Sequence, residues 1–137
     1  MSNYLFYDYA TSTVGKVKEG AIEYDSYPTI QQYLNQKCME NGSSYAGRKQ
    51  SFQYLTKQKK FVPILISYHP LEIYFPIESV KSPKCIWINY NEIIYIEYKE
   101  KECIIYFKDQ TLYICKYPQR IKNTMIHIKR FLILSND

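Results

Sequence analysis

Nine consecutive residues, Asn41-Gly42-Ser43-Ser44-Tyr45-Ala46-Gly47-Arg48-Lys49, bring together two glycines, two hydroxyls, a phenol and two adjacent cations. Glycine lets a backbone approach a partner closely and adopt positive φ. Small polar side chains with exposed N–H groups grip a phosphate, and Arg-Lys adds charge and a planar fork of donors. The chemistry of the stretch is therefore that of an anion-binding loop opening a helix, suited to a phosphate or a nucleic-acid backbone. Neither common nucleotide signature is present, since Gly-Lys-Ser/Thr and the three-glycine fingerprint are both missing. The same residues also suit an ordinary helix-to-helix turn with solvated charges.

Lys57, Lys59 and Lys60 follow closely, with Tyr54 interleaved. Together with Arg48 and Lys49 they make the densest positive cluster in the chain. A solvated connector is the plain reading of such a run, and its nearness to the glycine-serine loop favours a role in binding. Other constellations are missing. Cys38, Cys85, Cys103 and Cys115 are widely spaced and form no C-x-x-C pair. With His69 and His127 the only histidines, no metal-ligand spacing arises. All four cysteines sit in apolar stretches, as reduced core thiols do. His127 reads as a helix-surface or core-edge residue and His69 as an exposed turn residue before Pro70. The carboxylates are scattered, and Glu97, Glu100 and Glu102 mark a hairpin end. Trp87, between Ile86 and Ile88, reads as core rather than as a base-stacking platform. The expectation is a protein that is not an enzyme and needs no cofactor.

The elements that must position the cluster follow from pattern. At 137 residues the chain has the size of one domain, 1–137, and 46% hydrophobic residues suffice for a core. Net charge is +5, which favours acidic partners without deciding among them. The sixteen tyrosines suit half-buried sheet faces and interfaces alike. No signal pattern or membrane-length apolar run is present, so the expected setting is cytoplasmic, with no membrane partner.

Tyr4 to Tyr9 reads as a short strand, Gly15 to Gly20 as a charged turn or irregular hairpin, and Ala21 to Tyr24 as a second strand. Pro28 opens a helix capped by Ser26 or Tyr27, with Ile30, Tyr33, Leu34 and Cys38 as its apolar stripe and Asn41-Gly42 as its stop. A second helix runs from about Ser44 to Leu55, turning Arg48 and Lys49 away from its Phe52–Leu55 side. Phe61 to Ile66 and Ile73 to Pro76 read as strands about a turn at Ser67-Tyr68-His69-Pro70, with prolines marking edges or ends. Cys85 to Asn89 is a further strand. A meander follows over Ile93 to Tyr98, Cys103 to Phe107 and Leu112 to Cys115, with a two-residue turn at Asp109-Gln110. Its strands are apolar on both faces, which predicts cover on both sides. Pro118 opens a last helix carrying Ile121, Met125, Ile128 and Leu132 inward and Lys122, Lys129 and Arg130 outward. The class is α+β: an antiparallel or mixed sheet with a meander, two helices around residues 28–55 and a C-terminal helix.

The glycine-serine string resembles the signature of the ComK competence transcription factors of Gram-positive bacteria. Pro63-Ile64-Leu65-Ile66, Ile73-Tyr74-Phe75-Pro76, Cys85-Ile86-Trp87-Ile88 and the hairpin at Phe107-Lys108-Asp109-Gln110 follow in similar order. The likeness runs from about Tyr24 to near the last helix. It implies a DNA-binding regulator of competence genes that reads paired A/T-rich boxes largely through the minor groove and acts as an oligomer. Its implied partners are double-stranded A/T-rich DNA, further copies of the chain, and RNA polymerase or a related regulator. A narrow A·T minor groove has enhanced negative potential and attracts Arg and Lys. On this reading Arg48 enters the groove, Lys49, Lys57, Lys59 and Lys60 meet phosphates, and Ser43, Ser44 and Tyr45 bond the sugar-phosphate backbone.

The chain departs from that family in two respects. Members extend further at the C-terminus, where a tail engages the adaptor of a degradation machine, and the N-terminal part here matches poorly. The expectation is a reduced paralogue without that tail. The alternative is an interaction protein that modulates a full-length relative without strong DNA binding of its own. The meander from Ile93 also looks a little like the LytTR class of DNA-binding domains.

Overall fold

A computed structural model describes residues 1–135. Nine strands and three helices follow one another as β1 (Tyr4–Asp8), β2 (Thr13–Lys18), β3 (Ala21–Ser26), α1 (Ile30–Glu40), α2 (Tyr45–Thr56), β4 (Ile64–Tyr68), β5 (Leu71–Pro76), β6 (Trp87–Asn89), β7 (Ile93–Tyr98), β8 (Glu102–Phe107), β9 (Leu112–Lys116) and α3 (Pro118–Ser135). Every strand pairing is antiparallel. A six-stranded sheet runs β3-β2-β1-β6-β5-β4, and a three-stranded sheet runs β7-β8-β9.

Strands β4 to β6 carry apolar side chains on both faces, so the larger sheet separates two cores. Ile64, Ile66, Tyr74 and Trp87 face α1, against Leu34 and Cys38. Leu65, Ile73, Phe75 and Ile88 face the opposite way, toward the smaller sheet and α3. The apolar stripe of α1 is buried as its spacing predicts. α2 is tied to both sides: Tyr45 packs edge-on to Trp87 at 6.3 Å, and Phe52 lies in the second core against Phe131 at 4.8 Å.

Several boundaries differ from the sequence reading, each for a local reason. Thr29, not Ser26 or Tyr27, caps α1, because its hydroxyl accepts the Gln32 N–H at 3.0 Å. Pro28 therefore lies before the helix rather than in it. The helix stops as predicted, with Asn41 at the cap and Gly42 at φ +80°, where a Cβ would be strained. Gly15 is not a turn residue: it lies mid-strand in β2 opposite Phe6, whose ring occupies the place of the missing Cβ. The turn is Glu19-Gly20, both at positive φ, as a two-residue hairpin closing Lys18 onto Ala21 requires. Strand β4 begins only at Ile64, since Phe61 at φ +55° belongs to the preceding loop. The hairpin between β4 and β5 turns at His69-Pro70, with Ser67 and Tyr68 still in the strand. Edge placement, inferred from the prolines, holds for β4, whereas β5 is internal and only ends at Pro76.

The smaller sheet is covered on one face, not two. Cys103, Ile105, Phe107 and Cys115 point into the core, while Tyr95, Leu112 and Ile114 on the other face are exposed. Its second hairpin spans three residues, Lys108-Asp109-Gln110, because Phe107 N–H bonds Thr111 O and Gln110 takes φ +73°.

One carboxylate fastens the two sheets. Asp109 accepts from Asn3 Nδ2 at 2.7 Å and from the Glu19 N–H at 2.8 Å, besides the amide and hydroxyl of Thr111. Burial alone would push this carboxyl up, but those four donors outweigh it and hold the group well below the usual carboxylate range. A depressed folded value stabilises the fold at pH above the unfolded value of about 4, and that contribution fades as pH falls below it. Asp109→Ala is expected to cost about 2 kcal/mol at pH 7, measured by urea unfolding. The difference from the parent should shrink at pH 3; an equal difference at both values would refute the assignment.

Candidate nucleic-acid interface

The nine-residue stretch folds as the end of α1, a tight connection and the first turn of α2. Ser43 N–H reaches back to Cys38 O at 3.0 Å, and Ser44 is the N-cap, its Oγ accepting the Gly47 N–H at 3.0 Å. A Cβ on Gly47 would lie 3.1 Å from that same oxygen, so the glycine keeps room for the cap. Tyr45 is half-buried, its N–H bonded to Asn35 Oδ1 at 2.9 Å, and burial pushes its phenol up to about 12. It is a neutral packing residue with a polar tip.

Arg48 and Lys49 diverge. Arg48 is half-buried, with its guanidinium 5.9 Å from the Tyr68 ring and its Nε without a hydrogen-bond partner. It lies on the Cys38 side of α2, where its charge partly opposes the burial that pushes that thiol up to about 11. Lys49 points the other way, into a cleft of about 330 Å³ walled by Tyr45, Lys59, Lys60, Phe61 and Ser79. Of the eight residues singled out in the sequence, the structure gathers Tyr45, Lys49, Lys59 and Lys60 around this cleft. Lys57 lies outside it at the end of α2, Ser43 and Ser44 stand at the helix start, and Arg48 is apart.

The Lys57–Phe61 segment is more ordered than a solvated connector. Lys57 ends α2 in the left-handed region at φ +66°, and Phe61 returns to that region at φ +55°. A bulky residue there is a costly outlier that surrounding contacts must hold. Gln58 Nε2 donates to Lys60 O at 2.8 Å and to Phe61 O at 2.9 Å. The Arg120 guanidinium lies 3.9 Å over the Phe61 ring, and its Nη1 donates to Ile77 O at 2.8 Å. Lys59 and Lys60 thus stand exposed on a braced ridge.

Charge is partitioned to match. No carboxylate lies between Glu40 and Glu72, a span with five cations, and none lies between Asp109 and Asp137, which holds five more. The rest of the chain has eight cations and thirteen carboxylates, so a +10 portion adjoins a −5 portion. The two cation-only spans meet where α2 packs on α3. The ion pairs among the described residues use Lys16, Lys18 and Lys37 and none of the cations in these spans. This partition was available in the sequence as a gap in acid spacing, but the contact between the two spans was not.

The described residues bring together no group of three metal-ligating side chains. All four cysteines are buried and free, and burial pushes Cys85 up to about 11. Among the described residues no helix is long and apolar enough to cross a membrane.

Fold and site together define an α+β protein whose two cation-only spans meet at the contact of α2 with α3, with Lys49, Lys57, Lys59, Lys60 and Arg120 lining adjoining clefts. The family model described as ComK protein matches residues 4–133. The chain belongs to the ComK family, a family of competence transcription factors. The match begins at residue 4 and so takes in the N-terminal hairpin, against the poor N-terminal match expected from the sequence. No curated protein and no solved structure gives a significant match.

Gln58→Ala should loosen the ridge. The expected loss is about 1 kcal/mol of stability, with faster amide exchange confined to residues 57–62. Unchanged exchange there would show that the ridge is held without Gln58.

Proposed function

We propose that this protein binds A/T-rich duplex DNA through the minor groove and regulates competence genes, acting as a homo-oligomer in the cytoplasm. The observation that supports this most is the meeting of two acid-free spans at the contact of α2 with α3, where five cations line two adjoining clefts that no carboxylate lines. A polyanion with a regular backbone is the partner such a surface suits. The A·T minor groove adds a reason for cations on a narrow ridge, since its potential is strongest where it is slimmest.

Geometry redistributes the roles. Lys59 and Lys60, exposed and braced, are assigned to the groove, and Lys49 and Lys57 on either side to phosphates. Ser43, Ser44 and Tyr45 contribute hydroxyls at the edge of the site while capping and packing α2. Arg48, stacked near Tyr68 and half-buried, serves mainly to hold α2, with its charge adding to the local field.

Binding of a labelled A/T-box duplex should fall with salt at a log–log slope of about −0.9 per phosphate contact. The double substitution Lys59→Ala/Lys60→Ala is expected to reduce the preference for A·T over G·C duplexes by about 1–3 kcal/mol. Arg48→Ala should leave that preference nearly intact. Binding without salt dependence would sink the function, and loss of preference on Arg48→Ala alone would return the groove role to Arg48.

A further inference from the structure

The Lys59–Phe61 ridge has a second side. Beyond it lies a shallow cleft of about 530 Å³, walled on α3 by Arg120, Asn123 and His127 and on the α2 side by Lys57 and Gln58. Arg120, Asn123 and His127 stand at i, i+3 and i+7, so they form one row along a single flank of the helix. At 1.5 Å rise per residue the row is about 10 Å long. No carboxylate lines the cleft. His127 Nδ1 and Gln58 Oε1 are both shielded from solvent there and lack hydrogen-bond partners. The cleft shares Lys59, Lys60 and Phe61 with the cleft that holds Lys49, so the ridge is their common wall.

We infer that the α3 flank is a second phosphate-binding surface, and that the two clefts grip the opposite sugar-phosphate strands of one duplex while the ridge lies between them. This rests on the DNA-binding reading and extends it to a helix the glycine-serine signature does not reach. The minor groove is about 6 Å wide between its two backbones, which suits a ridge one loop thick with a cationic recess on each side. Asn123 is exposed in the middle of the row and supplies an amide donor; Arg120, fixed between the Phe61 and Tyr117 rings, supplies a preset charge.

The test places single charges in the cleft without touching the core. Asn123→Asp is expected to weaken A/T-box duplex binding about tenfold at low salt. Asn123→Lys should tighten it and steepen the salt slope by about one contact. Gln32→Asp, an equal charge change on the exposed side of α1, should have little effect. Phosphate-ethylation interference should lose signals on one strand with Asn123→Asp and on the other with Lys49→Gln. The inference is overturned if Asn123→Asp matches Gln32→Asp, or if both cleft variants affect the same strand while the parent still binds. A parent protein with no salt-sensitive duplex binding would instead overturn the DNA-binding reading and this inference with it.

Discussion

The contact between Phe52 and Phe131 is the interaction on which the rest of this surface depends. It sits where the two acid-free spans meet, and those spans carry ten cations between them. Like charges on neighbouring helices repel, and no carboxylate within either span offsets them. Burial of apolar side chains holds α2 and α3 together: Phe52, Ile128 and Phe131 lie in one core with Leu65 and Phe75 of the large sheet. Electrostatics alone would drive this face apart, and the hydrophobic effect, which does not depend on charge, keeps it assembled. A helix contact built this way stays assembled when an anion is absent.

The ridge between the two clefts answers a second constraint. Lysines have long, mobile side chains, and ordering a loop as well as its side chains on binding would be costly. Here the backbone is already fixed, by two left-handed residues, by the Gln58 amide and by the stacking of Arg120 on Phe61. What is left to order is the side chains alone. The strain at Phe61 is local and is held by contacts from α3, so the loop and the last helix are structurally one unit.

Much of the architecture was legible in the chain, and the exceptions share a cause. The α1 stripe, its Asn41-Gly42 stop, the Ser44 start of α2 and the meander all follow from patterns confined to a few neighbouring residues. What escaped depended on partners distant in sequence. Gly15 looked like a turn because Phe6, its cross-strand cover, is nine residues away. The outer face of the meander looked buried because alternation cannot tell which apolar face finds a partner. Arg48 looked like a projecting finger because nothing local announces Tyr68, twenty residues on. The order of the Lys57–Lys60 run was not legible, since its bracing comes from Gln58 and Arg120 acting together. The family signature lies on α1 and α2 and says nothing of α3, which packs on α2 far along the chain.

The uneven placement of charge has one more consequence. A body whose charge is unevenly spread is turned, as well as drawn, by the field of a linear polyanion. A molecule turned so that the clefts around Lys59 and Lys60 lead would waste fewer encounters on wrong orientations. That alignment reaches only about a Debye length, roughly 8 Å at physiological ionic strength, so it acts in the last stage of approach.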